Sequence, residues 1–366
     1  MSHKEIGVSP SSKFEERINL SIDRGINYLH DHQLPNGEFL FYMSGDDNML
    51  GHDICTESCV FPAALIGTCL LSLKEHNSMV SDILKKSAAF LFYQMDKGGT
   101  WNHYTNLHRF RHLCPQDLDD TACSSYFLNK MDYNIPTTSN QKLMLDNRRK
   151  DGLFYTWITF RRILNKNRLY WHYALRELKH PIQSIIFWHK FECTRYDVDA
   201  VVNANVLFYL GKRRETKPIV DYLIKIIKEN KEQDCDKWYL NPLTVFYFIS
   251  RNLASGIHEL EEIRLILIDK IMSFHNNDTG FGRSHLENAL AITSLINLNY
   301  KGDEIAKSVA QLIDGQSKNG NWKRWGFYYG GVKQFCFGSE ELSTAFCLET
   351  LALFKEIHLS STLKQP

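Results

Sequence analysis

Apolar residues recur along the chain in two kinds of helical stretch. The first kind is apolar nearly all round: residues 61–73, 122–128, 200–210, 243–249, 289–298 and 345–354. A helix without a polar face is buried on every side. The second kind is amphipathic: residues 14–32, 83–94, 218–229 and 259–274. In the last of these, Ile263, Leu265, Ile266, Leu267, Ile271 and Met272 form a one-sided stripe among charges. Before each apolar helix stands a glycine–aromatic turn or a polar–aromatic strip, then a small-polar or acidic helix start. Examples are Gly37-Glu-Phe39, Gly99-Thr-Trp101, Gly152-Leu-Phe154, Lys237-Trp238-Tyr239, Gly280-Phe281-Gly282 and Gly320-Asn-Trp322. The helix starts fall near residues 56, 119, 199, 241, 284 and 339, each step long enough for two helices and two loops. β-branched runs are short, and no hairpin dipeptide joins alternating segments.

These patterns predict an all-α chain of about twelve helices in six pairs, with apolar helices inside, amphipathic ones outside and a cavity between. The terminal copies look like the middle ones, whereas an open solenoid would end in polar caps. The expected architecture is therefore a closed (α/α)6 toroid over residues 14–358, with tails at 1–13 and 359–366. The polar stretch 131–150 reads as a surface excursion, because the repeat resumes after it.

Composition narrows the function classes. The chain has 366 residues, 43% hydrophobic and 23% charged, which excludes disordered and fibrous classes. Lys plus Arg number 43 against 42 for Asp plus Glu, so no basic field exists to hold nucleic acid. Nine cysteines, none in a CxxC pair, fit a reduced, cytoplasmic protein. The polar segment 1–12 has no apolar signal core, and no apolar run of about 18 residues spans a membrane. A peripheral membrane contact and a homodimer stay compatible with these features.

Asp117-Leu-Asp119-Asp120-Thr121-Ala122 is the sharpest chemical feature. One carboxylate at a helix start is an N-cap. Three in four residues repel one another unless one stays protonated, and a neutral carboxylic acid beside charged neighbours is a proton donor. The third helix start carries Asp197 and Asp199, followed by Asn203 and Asn205 inside an apolar helix. That pattern fits a buried hydrogen-bond network between inner helices or a polar patch on the cavity. Aromatics are 13% of the chain.

The acid sequence ahead of an apolar helix resembles the Asp-x-Asp-Asp motif of class II terpene cyclases, the squalene–hopene cyclase and class II diterpene cyclase group. Gln33-x-x-x-Gly37-x-Phe39 and Gln316-x-x-x-Gly320-x-Trp322 resemble that group's Gln-x-x-x-Gly-x-Trp repeats, and the likeness covers roughly residues 15–356. It implies protonation of an isoprenoid double bond or epoxide, then carbocation ring closure. Asp119 takes the place of the general acid, with Asp117 and Asp120 orienting it. A histidine often assists in that group, and His103, His108 and His112 lie upstream on residues 101–113; for each of them a solvated loop histidine is the competing reading. Ring faces steer a cation, and Trp157, Trp325 and Tyr329 are the candidates chosen for this, with Asp199 and Asn203 as a second polar patch that quenches the cation or binds a head group. A prenyl diphosphate substrate would bring in Mg2+ and enlist Arg148-Arg149-Lys150, Arg161-Arg162 or Lys212-Arg213-Arg214; no other metal is implied. The fused cyclases have a second helical domain, and this chain has length for one toroid. Closure would fall to its own loop 326–338, to a dimer or to a smaller substrate.

Three other readings weigh against this one. Protein prenyltransferase β-subunits share the toroid but bind zinc through Asp, Cys and His, and Ser343-Thr344-Ala345 stands where the His is wanted. A glycoside hydrolase or polysaccharide lyase would use Asp119 and Asp199 as an acid/base pair. A non-catalytic toroid would use the carboxylates to bind a basic peptide or a metal.

Overall fold

The computed structural model describes residues 10–51, 54–162, 164–278, 280–330 and 335–359. Its helices are α1 (Pro10–His32), α2 (Phe61–Leu70), α3 (Ser78–Gln94), α4 (Leu118–Lys130), α5 (Thr137–Asp146), α6 (Arg168–Ala174), α7 (Arg176–Lys179), α8 (Pro181–Lys190), α9 (Ala200–Leu210), α10 (Lys217–Lys228), α11 (Pro242–Ala254), α12 (Arg264–Met272), α13 (His285–Asn297), α14 (Asp303–Asp314) and α15 (Glu340–Phe354). Six of them form a closed ring: α2 packs on α4, α4 on α9, α9 on α11, α11 on α13, α13 on α15, and α15 back on α2. The predicted (α/α)6 toroid is thus the observed fold. The helix α1 begins at Pro10, earlier than the tail boundary expected at residue 13, because proline's fixed φ suits a first helical turn. The remaining tail residues 1–9 and 360–366 lie outside the described residues.

The outer layer corrects one reading. Residues 131–150 are not an excursion: α5 is the third outer helix, with Asn140, Leu143 and Met144 fully buried. The Asn140 amide donates to the Gly99 carbonyl and, at 3.0 Å, to Ser125 Oγ of α4. A polar helix can hold an outer position when its inward amide N–H groups find acceptors and apolar residues such as Leu143 and Met144 pack beside them. The true insertion is 160–199, which carries α6, α7 and α8 between the third turn and α9.

Four of the six repeat turns share a hydrogen bond to the following inner helix, and two of them an indole bond. The Trp101 indole donates to Leu91 O at 2.8 Å, and the Trp322 indole to Leu312 O at 2.7 Å. The backbone N–H groups of Trp101, Phe154, Phe281 and Trp322 donate to Thr121, Asn203, Asn288 and Thr344 of the following inner helix, at 2.9–3.1 Å. Gln33 Nε2 reaches Gly37 O, Ile83 O and Ser87 Oγ, and Gln316 Nε2 reaches Gly320 O and Ser21 O. Each glutamine therefore staples its turn to an outer helix. Inner helix starts are capped by Asp117, Asn241, Ser284 and Ser339.

Short strands trim the ring although no hairpin dipeptide marks them: β1 (Phe41–Ser44), β2 (Cys55–Glu57), β3 (Trp101–Asn102), β4 (Gln116–Asp117), β5 (Trp157–Ile158), β6 (His275–Asn276), β7 (Gly280–Phe281), β8 (Tyr328–Tyr329) and β9 (Cys336–Gly338). They lie in the orders β2-β1-β9-β8, β3-β4-β5 and β6-β7. In the second sheet Asp117 pairs with Trp101 on one side and Trp157 on the other, which fixes the acid motif beside an aromatic wall.

Candidate active site

Asp117 ends β4 and caps α4, accepting the Asp119 N–H at 2.6 Å, so Asp119 and Asp120 occupy the first turn of an inner helix. All three carboxylates are buried, and all three line one cavity. That cavity has about 760 Å3 of empty space, its mouth included, and opens among the helix starts. Its other walls are almost wholly aromatic or aliphatic. Phe61, Tyr104, Trp157, Trp238, Tyr239 and Tyr328 are among them, and the lining holds no lysine or arginine among the described residues.

Asp119 is the most fully engaged of the three. Its Oδ1 accepts from the Asn205 amide of α9, and its Oδ2 accepts from the Tyr239 hydroxyl at 2.6 Å. Burial pushes its carboxyl up to about 6, against the opposing pull of the Asn205 and Tyr239 bonds. Burial and the Asp120 and Asp119 charges push Asp117 well above the usual carboxylate range. No lysine or arginine pairs directly with the cluster among the described residues; its one ionic neighbour is His103, whose Nδ1 lies 3.5 Å from Asp120 Oδ2. Asp117 and Asp119 therefore give up their protons at higher pH than exposed carboxylates do. Tyr239 suits both charge states of Asp119, because a hydroxyl can donate to the carboxylate and accept from the acid.

His103 also meets the Tyr328 hydroxyl at 3.1 Å and so bridges the acid cluster and the aromatic wall. His108 instead pairs with Glu57 at 2.9 Å, and His112 stacks on His180 with ring centres 5.0 Å apart.

The other expected site residues divide. Trp157 and Tyr329 line the cavity. Trp325 does not: its indole donates to Glu287 at 3.2 Å, beneath the Arg283 guanidinium 5.5 Å from its ring. Asn203 is buried and lines no part of the cavity, its amide consumed by Phe154 N and O and by Asp199 O. Asp199 accepts from Thr156 Oγ1 at 2.5 Å and from Lys237 N at 3.1 Å. It thus holds the segments that carry Trp157 and Trp238, and it lines no part of the cavity. A carboxylate pair of Asp119 and Asp199 across the chamber is not formed.

No residue of the basic clusters lines the cavity, and several are committed elsewhere. Arg149 pairs with Asp151, Arg161 is buried against Asn147 and two backbone carbonyls, and Arg213 binds Gln141 and Leu210 O. Sequence reasoning missed Tyr239 and the lining residues Phe187 and Phe191, the latter two contributed by the 160–199 insertion. Asn205 gave a signal as a polar residue in an apolar helix, but its partner was not legible.

No protein-family profile matches this chain, and no curated protein is similar in sequence. Solved structures are similar in fold. The type II terpene cyclase MstE from Scytonema, solved with geranylgeranyl dihydroxybenzoate as substrate, superposes with a TM-score of 0.69 at 14% identity, covering 93% of this chain and 98% of that one. A protein from Actinoplanes gives 0.68 at 14% identity over 92% and 99%. The ent-copalyl diphosphate synthase from Streptomyces platensis gives 0.53 at 16% identity, and this chain matches half of its length.

Proposed function

We propose that the protein is a class II terpene cyclase: it protonates an isoprenoid substrate from Asp119 and guides the resulting carbocation to ring closure. One observation carries this reading: three buried carboxylates, Asp117, Asp119 and Asp120, line a cavity whose other walls are almost wholly aromatic or aliphatic. A carboxylic acid there delivers its proton to a C=C bond or epoxide without competition from bulk water, and the Asn205 and Tyr239 donors stabilise the carboxylate left behind. The ring faces of Trp157, Tyr328 and their neighbours offer each cationic stage about 0.5–2 kcal/mol per contact. MstE and the diphosphate synthase share the toroid and are named for this chemistry, which supports the reading.

The head group bears on substrate choice. An adjoining cavity, lined by Arg176 with His112 and His180, meets the chamber at Leu113 and Cys114. A prenyl diphosphate would extend its head there. The nearby carboxylates Glu177 and Asp96 are engaged by Arg195 and Arg111, so these residues do not fit a resident Mg2+, and the ion would arrive with the diphosphate. The decisive assay is incubation with farnesyl diphosphate, geranylgeranyl diphosphate, a geranylgeranylated phenol and squalene, followed by mass spectrometry of the extracts. A cyclised isomer from any of them, with its head group retained, is the expected result. Recovery of all four unchanged overturns the reading.

The substrate is a lipid, and we propose that it enters from a membrane surface. The insertion exposes Leu175, Leu178, Ile182, Ile185 and Ile186, while Phe187 of the same helix α8 lines the chamber. One element thus walls the site inside and presents an apolar strip outside, with exposed Lys166, Arg168, Lys179 and Lys190 in the same insertion. Co-sedimentation with vesicles containing anionic lipid is expected, and Ile182→Glu combined with Ile185→Glu should abolish it while leaving turnover of detergent-dispersed substrate unchanged. A double variant that still sediments with vesicles removes the proposal.

A further inference from the structure

We propose that Arg251 is a positioning residue that fixes which end of the Asn205 amide faces Asp119; this rests on the cyclase reading above. Arg251 sits on the inner helix α11 and is 8% exposed. It makes no ion pair among the described residues. Its guanidinium lies 4.2 Å from the Phe208 ring, 4.6 Å from Phe248 and 5.8 Å from Tyr247, and its Nη2 donates to Asn205 Oδ1. Asn205 Nδ2 in turn donates to Asp119 Oδ1.

A side-chain amide has an oxygen end and a nitrogen end that differ little in shape, so its neighbours decide its orientation. A guanidinium only donates. It therefore demands the amide oxygen, and the NH2 end is left for Asp119. In this orientation Asn205 stabilises the carboxylate and cannot take the acid's proton. In the flipped orientation the amide oxygen would accept the Asp119 proton and hold it back from the substrate. Burying an unpaired guanidinium is costly, and the three ring faces offset that cost without neutralising the charge. An aspartate or glutamate in their place would pair with Arg251 and draw it off Asn205.

The groups around Asp119 come from several elements. Asp117, Asp120 and Cys123 belong to β4 and α4, His103 follows β3, and Tyr239 precedes α11. Glu349 of α15 is bonded to Tyr247 at 2.9 Å and stands on the Arg251 side. The Arg251 charge pulls the Asp119 carboxyl down against the lift of burial, which keeps it a competent acid.

The test is a pH–rate profile and a double-mutant cycle on the full chain, using whichever substrate is cyclised. Arg251→Met should lower kcat about 10- to 100-fold, change KM less than about twofold, and move the alkaline limb of the kcat profile upward, because the acid holds its proton more tightly. Asn205→Ala should lose a similar amount, and the double variant should lose no more than Asn205→Ala alone, since one path is broken only once. Arg251→Lys, which keeps a donor, should recover part of the loss and serves as the arm of the cycle if Arg251→Met does not fold. An unmoved limb in Arg251→Met, or losses that multiply in the double variant, overturns the inference while wild-type cyclisation leaves the cyclase reading standing. Full activity in Asp119→Asn would strike that reading itself.

Discussion

Asp119→Asn is expected to lower the rate of cyclisation by roughly 10^2- to 10^4-fold, the range that a positioned general acid contributes. The new amide keeps the packing, since its oxygen can take the Asn205 bond and its NH2 can donate to the Tyr239 hydroxyl. The same substitution should stabilise the fold above neutral pH. A carboxyl at about 6 in the folded chain, against about 3.9 unfolded, is a group whose stabilising contribution is present below the unfolded value and is lost as pH rises through the folded one. Ionising Asp119 in place therefore costs the native state about 3 kcal/mol by pH 8, and the amide escapes that cost. The pair of readouts is mass spectrometry of product and a thermal melt at pH 8. Product lost with Tm raised by several degrees is expected; product retained removes Asp119 as the acid. In the wild type the rate should fall toward tenfold per pH unit above about 6, as the protonated form disappears.

The ring was legible because its two helix types differ in how many faces they bury. α9 and α13 read as apolar all round, and both are buried along nearly their whole length. The acid cluster was legible because one cap needs one carboxylate and the sequence supplies three. What failed depended on contacts between distant segments. α5 is too polar to announce an outer helix, and its place is explained by Asn140 meeting Gly99 and Ser125 with Leu143 and Met144 buried beside it. Asn203 and Asn205 look alike in sequence, two residues apart in an apolar helix. Their 100° helical steps point one at the Phe154 turn and the other at Asp119. Trp157 and Trp325 are likewise indistinguishable by type, yet β5 sets one beside Asp117 and Glu287 draws the other away. The insertion 160–199 lacks the repeat's turn chemistry, so its part in walling the chamber could not be read from periodicity.

Gly37→Ala should be the most destabilising single-methyl change in the repeat turns, and it separates two causes that the turn glycines combine. Gly37 has φ of +91°, and a Cβ there would stand 2.1 Å from Lys86 O of α3. Gly320 repeats the arrangement, with φ of +95° and a Cβ 2.2 Å from Arg24 O of α1. In both turns the chain leaves an outer helix, passes against the backbone of a neighbouring one and enters the ring, so no side chain can yield to make room. Gly256, after α11, has φ of +99° with nothing within 4 Å of its Cβ position. Gly256→Ala then reports the conformational cost alone, about 1–2 kcal/mol. Gly37→Ala adds overpacking against a carbonyl that cannot move without opening the α3 helix, for a total of about 3 kcal/mol or more. Denaturant midpoints of the two variants give the comparison directly. Equal losses would mean that the close approach to α3 contributes nothing, and that the glycine of the Gln-x-x-x-Gly turn is there for its backbone angle only. A larger loss at Gly37 would locate the ring's closure in the contact of each turn with the outer layer, which is also where Gln33 and Gln316 are bonded.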